Sequence, residues 1–430
     1  MRSKFGFSAV HIYVGDKSST EALGDRPGTS HSQVGQDKLI SSILHCKQKG
    51  LFLDVAANDA LSLSNTRSLE RDLAWDGICV EANPEYWPKL ARRECKLFGA
   101  VLGQETGQKV QFVSRRWASG ISGPEYDNKN GGYPEITVTI RDLLEFSKAP
   151  TVIDYFSFDV EGAESIIAKA FPWETTHITT MTVERPKPDA VELFQEHGMQ
   201  YLRKNSNFND QTWIDSGIQD RDTIMADFGD SVKDLKLTDC RPQPSNQVRA
   251  PGEPLPHGWK VMHIFAEVHS ENISSNNPED AFLAGLLCMK SGYFVEISSQ
   301  ATASPSTSML ETRGWEGLCV GSNPSYWKAR AGGRCTIVEL RPQADIALEK
   351  VFEDMQTPRS IQYVIGEAAD LEQFPWKRYR VSVVMVSRPS ETVTKLLQQE
   401  GYFKVNVPGG GTHEVWTAKD AADAGVCVQD

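Results

Sequence analysis

The sequence predicts an α/β protein of two similar units, each a mostly parallel sheet with helices on both faces and an antiparallel terminal hairpin. Three observations predict it. Long segments recur in the same order along the 430 residues. Short apolar runs of β type alternate with helical spacings inside each copy. The last two β-type runs of the first copy, Met199–Arg203 and Gln211–Ile214, read as a hairpin that adds an antiparallel edge.

The recurrence is plain in three places. LHCKQKGLFLDV from Leu44 matches LLCMKSGYFVEI from Leu286, and WDGICVEANPEYW from Trp75 matches WEGLCVGSNPSYW from Trp315. FPWETTHITTMTVERP from Phe171 matches FPWKRYRVSVVMVSRP from Phe374. The expected organisation is an N-terminal tail 1–30, a first unit 31–220, a linker 221–258, a second unit 259–420 and a C-terminal tail 421–430. The Pro- and Gly-rich run RPQPSNQVRAPGEPLPHG from Arg241 marks the linker. Cys46, Cys79 and Cys95 match Cys288, Cys319 and Cys335. Eight cysteines in this length is not a disulfide-scaffold density, and none forms a CxxC pair. They read as small buried apolar residues of a reduced chain, with no metal site expected.

The elements of the first copy follow in order. Leu51–Val55 is a strand, Thr66–Leu73 a helix and Gly77–Glu81 a second strand. Pro84–Arg93 is helical, with Asn83 as its N-cap. Val110–Val113 is a strand and Ile140–Phe146 a helix. Val152–Phe158 is a strand ending at Asp159, Ala163–Ala170 a helix stopped by Pro172, and Ile178–Val183 a strand. Val191–His197 is a helix ended by Gly198, ahead of the hairpin.

Charge narrows the function. Lys plus Arg number 45 against 57 Asp plus Glu, a net charge of −12. That balance argues against nucleic acid and anionic membranes as partners, because both select a basic field. No apolar run approaches the ~20 residues that span a bilayer. The basic, briefly apolar start MRSKFGFSAVHIYVGDK is interrupted by His11 and Tyr13 and has no clean cleavage site. A cytoplasmic protein is the expectation.

In a parallel α/β sheet the ligand sits beyond the C-terminal ends of the strands. Here those ends carry acids: Asp54 with Ala56, Asn58 and Asp59; Glu81 with Ala82; Asp159 with Glu161 and Glu164; and Glu184. A single acid so placed caps a helix or is solvated. The ordered set points to a nucleoside cofactor, with Glu81 accepting hydrogen bonds from a ribose diol. A dinucleotide would need GxGxxG at the first turn, and this chain has AANDA. An acidic loop repels a pyrophosphate and suits a cofactor with a cationic centre.

The segments SQVGQD, LFLDVAANDALSLSNTRSLE, WDGICVEANPEYW, VTIRDLL and IDYFSFDVEGAE resemble the FkbM-type methyltransferases, over about Ser32 to Trp213. The resemblance implies a class I Rossmann-like methyltransferase fold, S-adenosylmethionine as methyl donor, and O-methylation. Asp54, Ala56, Asn58, Asp59, Glu81, Ala82 and Asp159 would then contact the cofactor. The family carries glycine where Ala56 and Ala60 stand, and alanine in a left-handed turn costs on the order of 1 kcal/mol.

Methyl transfer to a hydroxyl needs orientation and removal of a proton. Asp159 is the expected base or positioning group, Glu161 orients acceptor or cofactor, and Glu184 is a further candidate. The expected acceptor is a small molecule or glycan hydroxyl. The second copy has Glu296 for Asp54, Gly321 for Glu81, GEAADLE for DVEGAE and Ser387 for Glu184. It keeps the landmarks of the core and loses those of the site. It is therefore expected to be degenerate, packed on the first copy as a pseudo-dimer. The alternative is a silent methyltransferase-fold scaffold in both copies.

Overall fold

The computed structural model describes residues 6–15, 17–206, 209–238, 240, 258–266, 282–284, 286–287, 291–340, 346–407 and 413–419. They fall into two compact units. An N-terminal unit lies within Asp16–Leu255 and Val261–Phe265. A C-terminal unit lies within Met1–Gly15, Pro256–Lys260 and Ala266–Asp430.

The strands in chain order are β1 Phe7–Tyr13, β2 Leu51–Val55, β3 Asp76–Val80, β4 Lys96–Gly99, β5 Val101–Leu102 and β6 Lys109–Val113. Then follow β7 Gly120–Ser122, β8 Tyr133–Val138, β9 Val152–Phe158, β10 His177–Val183, β11 Met199–Lys204, β12 Gln211–Asp215 and β13 Trp259–Phe265. The rest are β14 Tyr293–Ser298, β15 Glu316–Gly321, β16 Cys335–Glu339, β17 Ser360–Glu367, β18 Arg380–Ser387, β19 Tyr402–Val405 and β20 His413–Ala418.

In the N-terminal unit the strands lie in the order β11-β12-β10-β9-β2-β3-β4-β13. They are parallel from β10 to β13, while β12 and β11 form the antiparallel hairpin edge. The C-terminal unit repeats that order as β19-β20-β18-β17-β14-β15-β16-β1. The fold is thus mixed α/β with a mostly parallel sheet. Strands β2, β3, β9 and β10 are buried along most of their length, as central strands of a parallel sheet are. Helix starts follow local chemistry. Thr139 accepts the Asp142 amide with its hydroxyl, Asn83 accepts the Glu85 amide, and Pro188 opens the helix Pro188–Glu196. A second sheet, β5-β8-β6-β7, rises from the N-terminal unit between β4 and the helix Ile140–Ser147.

Three expectations need correction. Residues 7–13 are not part of a tail: Phe7, Val10 and Ile12 are buried, and β1 pairs with β16. The similar segment WKVMHIF forms β13, which pairs with β4. Each of these segments completes the unit other than the repeat it precedes, so the boundaries at 30 and 259 do not hold. Second, the expected linker 221–258 contains the helix Arg221–Phe228. Residues 241–257 of that linker and the tail 421–430 lie outside the described residues.

Third, the cysteines are paired. Disulfides join Cys46 to Cys240, Cys79 to Cys95 and Cys319 to Cys335, and among the described residues no cysteine is free. Cys79 lies on β3 and Cys95 just before β4, so neighbouring parallel strands bring together residues that no short motif links. The reduced-thiol expectation, and the support it lent to a cytoplasmic location, therefore fails. Alkylation of the denatured, unreduced chain should leave Cys46, Cys79, Cys95, Cys240, Cys319 and Cys335 unlabelled in a peptide mass map. Replacing Cys79 and Cys95 together by alanine should lower the unfolding free energy by about 3 kcal/mol in a urea titration.

Candidate active site

The β2 loop and the end of β3 build an acidic corner. Ala56 and Asn58 both adopt left-handed backbone, with φ of 60° and 54°. This turns the Asn58 amide back onto Glu81, to which it donates at 2.7 Å. The Asn83 amide donates to the other Glu81 oxygen at 2.6 Å. Glu81 is 4% exposed, and burial pushes its carboxyl up to about 7 against the pull of these amides. Each oxygen keeps a lone pair, so the group can accept both hydroxyls of a vicinal diol. Beside it lies a slot of about 50 Å³ walled by Ala56, Ala82, Leu102, Phe112, Ile121 and Ala163. Its apolar walls suit a flat ring.

The slot adjoins a second cluster through Val160. Asp159 follows β9, Glu161 sits in a left-handed turn at φ 53°, and Glu184 follows β10. One carboxylate oxygen from each lies within 4.8 Å of the others. Burial, the charge of Glu184 and a hydrogen bond to it push the Asp159 carboxyl well above its ordinary range. Glu161 is pushed up to about 7 by burial and by Glu184, against the pull of Arg185. Arg185 donates to Glu161 at 2.9 Å and forms ion pairs with Glu184 at 2.8 Å and Asp127 at 2.9 Å.

Asp127 comes from the segment after β7, and its amide donates to the Glu161 carbonyl at 3.2 Å. Lys187 donates to the carbonyls of Glu125 and Gly162, at 2.6 and 2.7 Å. The inserted sheet is thus latched to the β9 turn. A side chain at Gly162, whose φ is 96°, would meet the Asp127 amide at 2.8 Å, so glycine is needed for this approach.

The structure therefore groups Ala56, Asn58, Glu81 and Ala82 around the slot, and Asp159, Glu161 and Glu184 in the cluster. It places two other expected cofactor residues elsewhere. Asp54 turns into the core, accepting the Thr66 hydroxyl and lying 3.8 Å from Arg93. Asp59 accepts the Leu61 and Ser62 amides and pairs with Lys89. Glu164 opens the helix Glu164–Ala170, accepting the Val160 and Gly162 amides. Sequence reading missed Arg185, Asp127 and Lys187. The run ERPK beside Glu184 was a signal for the two cations, whereas nothing local ties Asp127 to β9.

The matching corner of the C-terminal unit is filled. A side chain at Gly321, opposite Glu81, would meet the Tyr326 ring at 2.5 Å and the Ser298 carbonyl oxygen at 2.7 Å. Tyr326 is fully buried, while its counterpart Tyr86 is not. Gln300, opposite Asn58, donates to Glu367 at 2.7 Å. Residues 100–139 carry the inserted sheet of the N-terminal unit, and only residues 340–347 separate the corresponding strand and helix here.

Residues 54–206 match the methyltransferase FkbM domain. This FkbM domain lies within the N-terminal unit and contains both the slot and the acidic cluster. No curated protein matches the chain. Among solved structures, the chain is similar to the Methanococcus jannaschii fibrillarin pre-rRNA processing protein, at 13% identity over 33% of this chain and 74% of that one, with a TM-score of 0.22. It is also similar to Haemonchus contortus phosphoethanolamine N-methyltransferase 1 in complex with phosphoethanolamine and S-adenosylhomocysteine, at 8% identity over 93% of each chain and a TM-score of 0.23. Phosphoethanolamine N-methyltransferase 2 of the same organism, in complex with S-adenosylmethionine, follows at 9% identity over 85% of this chain and 79% of that one, with a TM-score of 0.19. At such TM-scores the likeness assigns neither fold nor chemistry to this chain.

Two outcomes are expected from this geometry. Ala56→Gly should raise the unfolding free energy by about 1 kcal/mol in urea, by relieving left-handed alanine; Ala60→Gly should not, because Ala60 is not left-handed. Glu81 holds a proton in the folded chain that the unfolded chain releases at lower pH. Its stabilising contribution is complete below the ordinary glutamate value of 4.5 and is lost as pH rises through about 7. Urea midpoints should fall across that window, and the fall should be shallower in Glu81→Ala.

Proposed function

We propose that the N-terminal unit is an S-adenosylmethionine-dependent methyltransferase acting on a hydroxyl of a small molecule or glycan. The observation that carries this reading is the adjacency, inside the FkbM domain, of the Glu81 slot and the Asp159–Glu161–Glu184 cluster. The residues fit the cofactor by their chemistry: Glu81 offers two acceptors to ribose hydroxyls, and the walls around Ala82, Leu102 and Phe112 suit an adenine ring. When bound, S-adenosylmethionine supplies an electrophilic methyl group. Asp159, Glu161 and Glu184 face the acceptor side; they favour a neutral hydroxyl over an anion, and Asp159 is the candidate to take its proton.

The C-terminal unit is, on this proposal, a duplicated copy without a cofactor site. Support comes from the recurring sequence landmarks, the repeated strand order and the corner filled by Tyr326. We also propose an oxidising compartment, on the strength of the three disulfides.

The left-handed Ala56 and the small slot favour a second reading, a silent scaffold. Calorimetric titration of the full chain with S-adenosylhomocysteine separates the two. One site per chain is expected, weakened by about a hundredfold in Glu81→Ala through loss of two hydrogen bonds. No heat with either protein would sink the enzyme and leave the scaffold.

A further inference from the structure

We infer that the Asp159–Glu161–Glu184 cluster is a binding site for a hard divalent cation of calcium or manganese type. The three residues sit at the ends of two adjacent parallel strands, β9 and β10, and converge on one point. Their oxygens lie within 4.8 Å of one another. Opposite ligands of a calcium ion, bound at 2.3–2.6 Å each, stand roughly 5 Å apart, so such an ion is reached without moving the strands. Carboxylate oxygens are the ligands that hard cations select.

The cluster is short of positive charge. Arg185 is the cation that meets it, and its one guanidinium is shared among Glu161, Glu184 and Asp127. Lys187 is engaged instead with the Glu125 and Gly162 carbonyls. Arg185 takes Oε1 of Glu184 at 2.8 Å and leaves Oε2 buried on the side of the cluster.

A separate residue points the same way. Glu164 is 1% exposed, lies outside the three-residue cluster, and keeps Oε2 buried and unpartnered. It lies in the same turn: its Oε1 sits against the Val160 and Gly162 amides at 3.2 and 3.3 Å, on either side of Glu161 and next to Asp159 in the chain. Buried carboxylate oxygens without donors are costly unless a cation compensates them. Among the described residues, no group of three converging carboxylates occurs in the C-terminal unit, where Ser387 stands opposite Glu184 and Gln300 donates to Glu367.

The cation would lie beside the acceptor side of the slot. A hydroxyl oxygen coordinated there loses its proton more readily, which is what methyl transfer asks of an alcohol. The existence of the site is independent of the methyltransferase reading; only this use of it rests on that reading.

The test uses the full chain, stripped with chelator and titrated with Mn²⁺ alone under electron paramagnetic resonance. One ion per chain is expected, with a dissociation constant of about 0.1–1 mM or tighter, displaced by Ca²⁺. Glu184→Gln should weaken it by about tenfold or more. Glu161→Gln, at a partly exposed position, is the second variant should the first not fold, and circular dichroism checks both. Absence of Mn²⁺ binding by the wild-type chain overturns the inference, as does unchanged binding by a folded variant. A parallel titration with S-adenosylhomocysteine keeps the two readings apart: cofactor without Mn²⁺ sinks the metal site alone, and Mn²⁺ without cofactor sinks the enzyme alone.

Discussion

A buried arginine bridging two acids holds each unit together. In the N-terminal unit Arg93 lies between Asp54, at 3.8 Å, and Glu70, at 3.2 Å, and its side chain is fully buried. Glu70 also accepts the Cys95 amide at 2.8 Å. In the C-terminal unit Arg330 lies between Glu296 and Glu311, and Glu311 accepts the Cys335 amide. Breaking such a buried pair on one side costs about 3–5 kcal/mol, because a charge is left uncompensated. The network ties the first strand, the following helix and the start of the third strand into one block. The Cys79–Cys95 and Cys319–Cys335 disulfides cross-link the second strand to the third in each unit.

On that block the two units diverge at their strand ends. In the N-terminal unit the β2 loop turns left-handed at Ala56 and Asn58, so that a backbone amide meets Glu81. Where glycine replaces that glutamate, Tyr326 occupies the space. The turn after the following edge is shared: Arg185 and Arg388 both have positive φ, at 41° and 51°. That conformation therefore belongs to the common frame. The left-handed Glu161, by contrast, belongs to the β9 turn, where the inserted sheet approaches closely enough for Asp127 to bond its carbonyl.

Most of the sheet was legible because central parallel strands are continuous apolar runs, as in LFLDV, ICV and VIDYFSF. Glu81 was legible because it directly follows such a run. The strand β1 was not, since FSAVHIY carries polar residues and its partner β16 lies more than 300 residues away. The disulfides were missed for a related reason, although the equal spacing of Cys79–Cys95 and Cys319–Cys335 was itself a signal. A strand-end acid can turn either toward solvent or toward the core, and Arg93 and Thr66, from distant segments, decide that Asp54 turns inward.

The sequence by itself determined the α/β alternation, the order of the strand ends and the acids placed on them. Periodicity and turn chemistry are local properties, written in neighbouring residues. The tertiary structure decided which acids converge, which cysteines pair and which corner stays open. Those outcomes depend on side chains brought together from distant segments, as Arg185 and Asp127 meet Glu161, and on whether a ring such as Tyr326 has space to fold inward.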